Sequence, residues 1–215
     1  MMKAKVLFWD VDTQYDFMMP DGRLYVPGAR AILGRVGDVR RLALEGGYSI
    51  LGDVDWHSPQ DQEISQTPDF ERTFPPHCMA GSHGAERVGW LGAGPIQYVG
   101  PEAATDRELQ RLVEKEPFHV MIRKHTLDVF ENPNTERLIE LIRPSAVAVF
   151  GVALEFCVSY VLRGLARYGG IRLYVLRDAV KGLGSRSEDD IYGELEDIGV
   201  VVTDMGQLRG RLSCG

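Results

Sequence analysis

The feature that most restricts the fold of this chain is the segment from Val147 to Tyr168, whose hydrophobic period changes halfway along. Residues 147–152 form an uninterrupted apolar run, which is typical of a buried strand. The second half repeats apolar residues at the i, i+3, i+4, i+7 spacing of an amphipathic helix: Val158, Val161, Leu162 and Leu165. A buried strand that leads into an amphipathic helix is a building unit of α/β folds.

Cys157 lies where this strand passes into the helix. The first turn of a helix offers unpaired N–H groups and the positive end of the helix dipole. A thiol in that position is expected to have a lowered pKa and to become a better nucleophile. A free cysteine is also often a small buried hydrophobic residue, so this segment alone leaves both interpretations open.

Composition narrows the class of protein. The 215 residues fit one domain, over 1–215, with 44% apolar and 26% charged residues. The net charge of −7 argues against nucleic-acid binding, which needs a basic face. No apolar run approaches the roughly 18–20 residues that span a membrane. Three cysteines without a signal-peptide core indicate free thiols and a cytoplasmic protein.

Strands and helices alternate along the chain. Apolar runs predict strands over residues 5–9, 48–54, 118–123, 147–152, 172–176 and 200–202, with 96–99 as a weaker candidate. Helical patterns cover residues 29–45, 106–116, 134–142 and 187–198. We therefore expect a three-layer α/β/α protein around a central, mostly parallel, six-stranded sheet.

Residues 56–95 contain no periodic element and are rich in Pro, Gly, Ser, Asp and His. A stretch of this length without regular structure is usually functional or disordered. Its histidines and aromatic residues favour a functional loop, so we predict a metal and substrate region at about 55–95.

Four residues with useful chemistry fall at or just after predicted strand ends: Asp12, Asp55, Lys124 and Cys157. Ligands of parallel sheets bind beyond the carboxyl ends of the strands, so we expect these residues to share one site. Asp12 would be the base for the thiol and Lys124 the cation that favours the thiolate. Taken singly, Asp12 is also consistent with a turn-capping acid and Lys124 with a solvated surface lysine.

A second group consists of Asp55, His57, Glu63 and His77. Two imidazoles with one or two carboxylates suit zinc, iron or manganese. The spacing alone is also consistent with a polar loop that carries surface histidines. His119 lies inside an apolar run and is expected to be a core residue, whereas His125 could reach the pocket.

Several short motifs follow one another between Val6 and Ala179: Asp12-Thr13-Gln14-Tyr15-Asp16-Phe17, Asp55-Trp56-His57-Ser58-Pro59, Phe74-Pro75-Pro76-His77-Cys78, Arg123-Lys124, Gly151-Val152-Ala153-Leu154-Glu155-Phe156-Cys157-Val158 and Asp178-Ala179. In this order they resemble the isochorismatase-like cysteine hydrolases, and among those the nicotinamidases most closely.

The resemblance implies a catalytic trio of Asp12, Lys124 and Cys157. It implies an oxyanion hole at the backbone of Ala153 and Cys157, with a cis peptide bond between Val152 and Ala153. Substrate contacts would come from Phe17, Phe74 and Gln14. The metal ligands would be Asp55, His57, Glu63 and His77 around one divalent ion, zinc before iron or manganese. The implied assembly is a homo-oligomer, a dimer or tetramer.

On this resemblance the expected reaction is hydrolysis of nicotinamide to nicotinate and ammonia through a thioester. The chain departs from the family pattern at Glu63, where a histidine is common, at Phe74 in place of Trp, at Phe156, and over 125–130. These departures keep open another small amide or carbamoyl substrate. A binding module without catalysis and a zinc hydrolase that uses metal-bound hydroxide are further alternatives. Cys78 is expected to be buried structure and Cys214 to be free and inert.

Overall fold

A single parallel sheet organises the molecule. The structure, a computed structural model, describes residues 5–92 and 94–213, so Cys214 lies outside the described residues. The strands are Val6–Val11 (β1), Ser49–Asp55 (β2), Gln97–Val99 (β3), His119–Lys124 (β4), Ala146–Val152 (β5), Arg172–Lys181 (β6) and Val200–Thr203 (β7). Their order across the sheet is β3-β4-β2-β1-β5-β6-β7, and every adjacent pair is parallel.

The prediction of an α/β fold with a parallel sheet is confirmed, but the count of six strands is wrong. The seventh strand is β3, the weaker candidate of the sequence, which pairs with β4 at one edge. Three residues are too few to display a strand period. The sheet is also parallel throughout, whereas a mostly parallel one was expected.

Helices cover both faces of the sheet. They are Tyr15–Met18 (α1), Ala29–Glu45 (α2), Asp106–Val113 (α3), Thr135–Ile142 (α4), Ser159–Ala166 (α5), Glu188–Asp197 (α6) and Met205–Ser213 (α7). The buried residues of α3 to α6 pack with Leu7, Trp9 and Val11 of β1 on one face. Those of α1, α2 and α7 pack with Phe8 on the other face. The alternation of side chains along β1 thus produces the three predicted layers.

Helix α7 was not predicted, because Met205, Leu208 and Leu212 are its only large apolar residues between glycines and arginines. No helix of the described part is long and apolar enough to span a membrane. A long loop joins β2 to β3. Its regular elements, within the described residues, are a short 3₁₀ turn, His83–Ala85, and isolated bridges. The metal and substrate role of this loop stays a prediction.

A buried ionic network ties this long loop to the sheet. Asp10 in β1 accepts a hydrogen bond of 2.7 Å from Nε of Arg40 in α2 and another from Arg87 of the loop. Arg40 also donates to the carbonyls of Val88, at 2.7 Å, and Trp90, at 3.1 Å. Although burial raises the pKa of Asp10, the two guanidinium groups hold it well below its usual range. The Asp10 carboxylate therefore holds β1, α2 and the loop together.

His119 closes the network as an uncharged acceptor. Its Nε2 lies 3.0 Å from a nitrogen of Arg87. Burial and the nearby Arg87 lower the pKa of His119 to about 3, so the ring is neutral and can accept the hydrogen bond. The expectation that His119 is a core residue is confirmed.

Replacing Asp10 with asparagine should strongly destabilise the fold, because Asp10→Asn leaves two buried guanidinium groups without a counter-charge. We expect the free energy of unfolding, measured by urea denaturation, to fall by about 3–5 kcal/mol. The matched control is Asp38→Asn, which breaks the exposed pair with Arg41 and should cost about 0.2–1 kcal/mol. Equal losses in the two variants would contradict a central role for this network.

Candidate active site

The ends of four adjacent strands bring the predicted residues together. Asp12 follows β1, Asp55 ends β2 and Lys124 ends β4, while Cys157 lies five residues beyond β5. The Nζ atom of Lys124 lies 3.0 Å from Oδ2 of Asp12 and 3.5 Å from Sγ of Cys157. The same Nζ forms an ion pair with Oδ1 of Asp55. The order β4-β2-β1-β5 thus places one cation among two carboxylates and the thiol.

Lys124 is charged in this environment although it is fully buried. Burial by itself favours the neutral amine, but Asp12 and Asp55 outweigh it and raise the pKa of Lys124 well above its usual value. The interpretation of this residue as a solvated surface lysine is therefore wrong.

Asp12 is a stronger base than an ordinary carboxylate. Burial and the neighbouring charge of Asp55 raise the pKa of Asp12 well above its usual value, against the opposing effect of Lys124. The Cys157 thiol, which lines the same cavity, also acts on this carboxylate and partly offsets the rise in its pKa. A carboxylate with a raised pKa next to a thiol is suited to take up the thiol proton.

The expected lowering of the Cys157 pKa is wrong. Burial, helped by Asp12 and Asp55, raises the pKa of the Cys157 thiol well above its usual value despite Lys124. The sequence predicts Cys157 near the first turn of a helix. In the structure the residue belongs to a π-helical turn, Leu154–Val158, that precedes α5 and is packed into the interior. Cys157 therefore needs a base, since burial keeps its proton in place.

Asp53 is a third buried carboxylate near Lys124, and the motif analysis missed it. Its Oδ1 accepts a hydrogen bond of 2.6 Å from Nε1 of Trp9. Burial raises the pKa of Asp53 to about 7, against the effect of Lys124. The sequence contained one signal for it, an acid inside the apolar run of β2.

The four predicted metal ligands form one buried cluster. One ligand atom from each of Asp55, His57, Glu63 and His77 lies within 4.8 Å of the others. Oδ2 of Asp55 is 3.2 Å from Nε2 of His77 and 3.4 Å from Nε2 of His57. Oε1 of Glu63 is 3.8 Å from both nitrogens. The side chains therefore converge on one point, and the interpretation of surface histidines is wrong for His57 and His77.

The chemistry of these donors fits a divalent metal ion. Nε2 of His57 and Oε2 of Glu63 are buried and form no hydrogen bond within the described residues. Buried polar atoms are normally paired, so an unpaired imidazole nitrogen and carboxylate oxygen indicate a missing partner. Nδ1 of His77 lies 2.7 Å from the carbonyl of Pro75, which orients Nε2 toward the other donors. Two imidazoles and two carboxylates suit zinc, iron or manganese.

A small cavity opens onto both groups of residues. Asp12, Cys157, Asp55, Glu63 and His77 all line it. The remaining wall is apolar: Phe17, Leu24, Val26, Phe74, Leu127, Val152, Ala153, Phe156 and Leu183. The local sequence pattern does not identify Leu24, Val26 and Leu183 as cavity residues, because nothing in it separates them from core residues.

Phe17 and Phe74 line the cavity, whereas Gln14 does not. The Gln14 amide donates to the carbonyls of Asp55, at 2.7 Å, and Ala85, at 3.0 Å. Its Oε1 accepts from the N–H of Asp55 at 2.8 Å. The side chain is fully buried outside the cavity lining. The prediction that Gln14 contacts substrate is therefore corrected: its amide fixes the Asp55 backbone instead.

The predicted cis peptide bond between Val152 and Ala153 is present. Ala153 and Cys157 both line the cavity. Their role as an oxyanion hole stays a prediction.

Glu155 holds a loop that forms part of the cavity wall, a role that the sequence does not predict. Its two carboxylate oxygens accept hydrogen bonds from the N–H groups of Leu183, at 2.9 Å, and Gly184, at 2.8 Å. These contacts hold the loop after β6, and with it Leu183, against the cavity. The turn that presents Cys157 thus also fixes part of the substrate pocket.

Comparison with known proteins agrees with this architecture. A model of the isochorismatase domain matches residues 10–207. The nicotinamidase/pyrazinamidase of Mycobacterium tuberculosis is 32% identical over 85 residues, 40% of this chain and 43% of that protein, so the match spans less than half of this relative. The nicotinamidase of Saccharomyces cerevisiae is 26% identical over 184 residues, 74% of this chain and 80% of that protein.

Among solved structures, the pyrazinamidase of Pyrococcus horikoshii in complex with zinc superposes with a TM-score of 0.74. The sequence identity is 26%, and the superposition covers 94% of this chain and 99% of that one. The likeness extends over nearly the whole of both chains.

The role of Glu63 can be tested through metal affinity. Glu63→Gln removes the charge of one donor but keeps its size, so we expect zinc binding to weaken about tenfold or more. Competition with a chromophoric chelator measures the dissociation constant. The control is Glu86→Gln, since Glu86 also contacts a histidine, His83, but on the exposed surface. Unchanged affinity in Glu63→Gln would show that Glu63 is not a ligand.

Proposed function

The chain belongs to the isochorismatase domain family, and we propose that it is a metal-dependent cysteine amidase that hydrolyses nicotinamide to nicotinate and ammonia. The observation that carries the proposal is the shared cavity. Cys157 and Asp12 line it, Lys124 lies behind them, and the metal-capable cluster lines the same space. The relatives in M. tuberculosis and S. cerevisiae, which bear the name nicotinamidase, support the same reaction class.

Acylation begins at the thiol. The Cys157 sulfur attacks the carboxamide carbon while its proton passes to Asp12, so the S–C bond forms and the carbonyl oxygen becomes negative. Backbone N–H groups of Ala153 and Cys157 stabilise that oxygen. Asp12 then returns the proton to the amide nitrogen, the C–N bond breaks, and ammonia leaves a thioester on Cys157.

Hydrolysis of the thioester uses the same base. Asp12 takes a proton from water, whose oxygen attacks the thioester carbon. The C–S bond breaks, the proton held by Asp12 passes to the sulfur, and the acid product gives its remaining proton to solvent and leaves as nicotinate. Lys124 remains charged through both halves, so it compensates whichever of Asp12 and Cys157 carries the negative charge.

Asp55, His57, Glu63 and His77 would hold the metal, with zinc preferred over iron or manganese. When bound, the ion would supply a coordination position for a ring nitrogen of the substrate. Phe17 and Phe74 give the ring two aromatic neighbours, so the cluster and these rings together orient the carboxamide toward Cys157.

A second candidate is an amidase of the same mechanism that acts on another small amide or carbamoyl compound. Leu127 and Phe156, both from segments that depart from the family pattern, line the cavity. They make its wall bulky and apolar and can shift the preference among substrates. A panel of small amides read by ammonia release separates the two candidates, since preference for nicotinamide would exclude the second.

Further properties stay predictions: one domain over 1–215, a cytoplasmic location, and a dimer or tetramer. Two alternative hypotheses predict different experimental results. A module that lost catalysis would release no ammonia from any amide. A hydrolase that uses metal-bound hydroxide would lose activity on chelation but tolerate Cys157→Ser.

The deciding measurement is release of ammonia and nicotinate from nicotinamide by the zinc-loaded protein. Cys157→Ala should lose at least about a thousandfold in turnover, because it removes the atom that forms the thioester. The control is Cys78→Ala, which removes a buried thiol outside the cavity lining and should retain turnover. Near-normal activity of Cys157→Ala would overturn the mechanism.

A further inference from the structure

His125 makes a contact that the proposed function does not use. It follows Lys124 directly, in the segment where the chain departs from the family pattern. Its Nδ1 lies 2.7 Å from Oδ2 of Asp61. The same oxygen lies 3.2 Å from Nδ1 of His57, one of the metal-capable residues. A single carboxylate oxygen therefore joins His125 to His57.

We infer that Asp61 and His125 are positioning residues, which hold the His57 imidazole in the tautomer and orientation that a divalent metal requires. The inference rests on the metal site of the proposed function and adds two residues outside its ligand set. Histidine ligands commonly donate their second ring N–H to a carboxylate, and loss of that partner weakens metal binding.

Asp61 is itself held rigidly by a tight turn. The backbone N–H of Ser58 donates to Oδ2 at 2.9 Å, and the Ser58 hydroxyl donates to Oδ1 at 2.7 Å. With the two imidazoles, the carboxylate is surrounded by four donors. Such a group is ionised and can only accept, so its direction is fixed by Ser58 before any metal binds.

This contact determines the tautomer of His57. Because Asp61 can only accept, Nδ1 of His57 must carry the hydrogen. In the neutral ring the lone pair then lies on Nε2. That nitrogen is the one that faces Asp55 and Glu63, at 3.4 and 3.8 Å, and it has no hydrogen-bond partner in the described residues. Asp61 therefore directs the free lone pair into the cluster.

His125 protects this arrangement on its solvent side. The Asp61 side chain is 14% exposed and the His125 side chain 33%, so His125 covers an oxygen for which water would otherwise compete. The backbone fixes the distance between the two segments, because the N–H of Trp56 donates to the carbonyl of Lys124 at 2.9 Å. The residues next to His57 and His125 are thus joined directly.

A separate ion held by His57, Asp61 and His125 is the competing explanation, since one donor atom from each lies within 4.8 Å of the others. That ion would need the lone pair of His57 at Nδ1, whereas the four-residue cluster needs it at Nε2. A neutral imidazole supplies only one of the two. All four residues of the first cluster are buried, whereas Asp61 and His125 are partly exposed. We therefore place the free lone pair of His57 on Nε2, toward the four-residue cluster.

Zinc titration against a chelator, without substrate, tests the inference. Asp61→Asn keeps the shape but can present an N–H to His57, so we expect the zinc dissociation constant to rise about 10–100-fold. His125→Ala should raise it by a smaller factor, and His125→Gln, whose amide can still donate to Asp61, should recover part of the loss. The control His83→Ala removes an exposed histidine that also contacts a carboxylate and should leave the constant unchanged.

Nitrogen NMR of the metal-free protein gives a readout that a purely structural role would not move. At a pH where the His57 ring is neutral, it should carry its hydrogen on Nδ1 in the wild type and shift toward Nε2–H in Asp61→Asn. Three results would each overturn the inference. The first is wild-type zinc affinity in Asp61→Asn, and the second is absence of zinc binding by the wild type. The third is binding of two zinc ions per chain, one of which is lost in His125→Ala. Normal zinc binding without nicotinamide hydrolysis would overturn the proposed function alone.

Discussion

The burial of one ammonium group among three carboxylates is the constraint on which the rest of this site depends. Lys124 contacts Asp12 and Asp55, and Asp53 lies close enough to act on its charge. Removing such charges from water is costly, and only near-ideal mutual contacts offset the cost. A parallel sheet supplies them, because β4, β2 and β1 are neighbours and end at the same edge. The long loop then excludes water from that edge, and the Asp10 network ties this loop to the sheet.

This cluster changes how the nucleophile is activated. A solvent-accessible helix N-terminus would stabilise the ionised thiol. Burial among carboxylates instead raises the pKa of the Cys157 thiol and keeps it protonated. The same surroundings raise the pKa of Asp12, so the base gains proton affinity together with the acid it must deprotonate. Proton transfer between them moves the negative charge only a short distance while Lys124 stays beside both. The charge of the buried group as a whole does not change, which spares the low-dielectric interior a large penalty.

The sequence predicted those parts of the molecule that follow from local period and strand ends. The α/β architecture and the convergence of Asp12, Asp55 and Lys124 required only the rule that parallel strands end at one edge. Gln14 was misassigned because its amide binds backbone groups 41 and 71 residues away, contacts that exist only after folding. Glu155 and Asp61 were missed for the same reason: each acts on a loop or ring whose position the local sequence does not fix. The short strand β3 and the glycine-interrupted helix α7 carry too little periodic signal to be counted reliably.

Asp55 links the two halves of the site through its two oxygens. Oδ1 pairs with Lys124, while Oδ2 faces His57 and His77. A cation bound near Oδ2 would draw electron density from the carboxylate and weaken its hold on Lys124, which would leave more of the lysine charge for Asp12 and Cys157. Asp55 also acts directly on the pKa of Cys157, so the metal-capable cluster and the thiol are not electrostatically independent. In a site of this geometry, a cation held by the cluster would therefore also act on the nucleophile through Asp55 and Lys124, and the Gln14 amide fixes the Asp55 backbone between them.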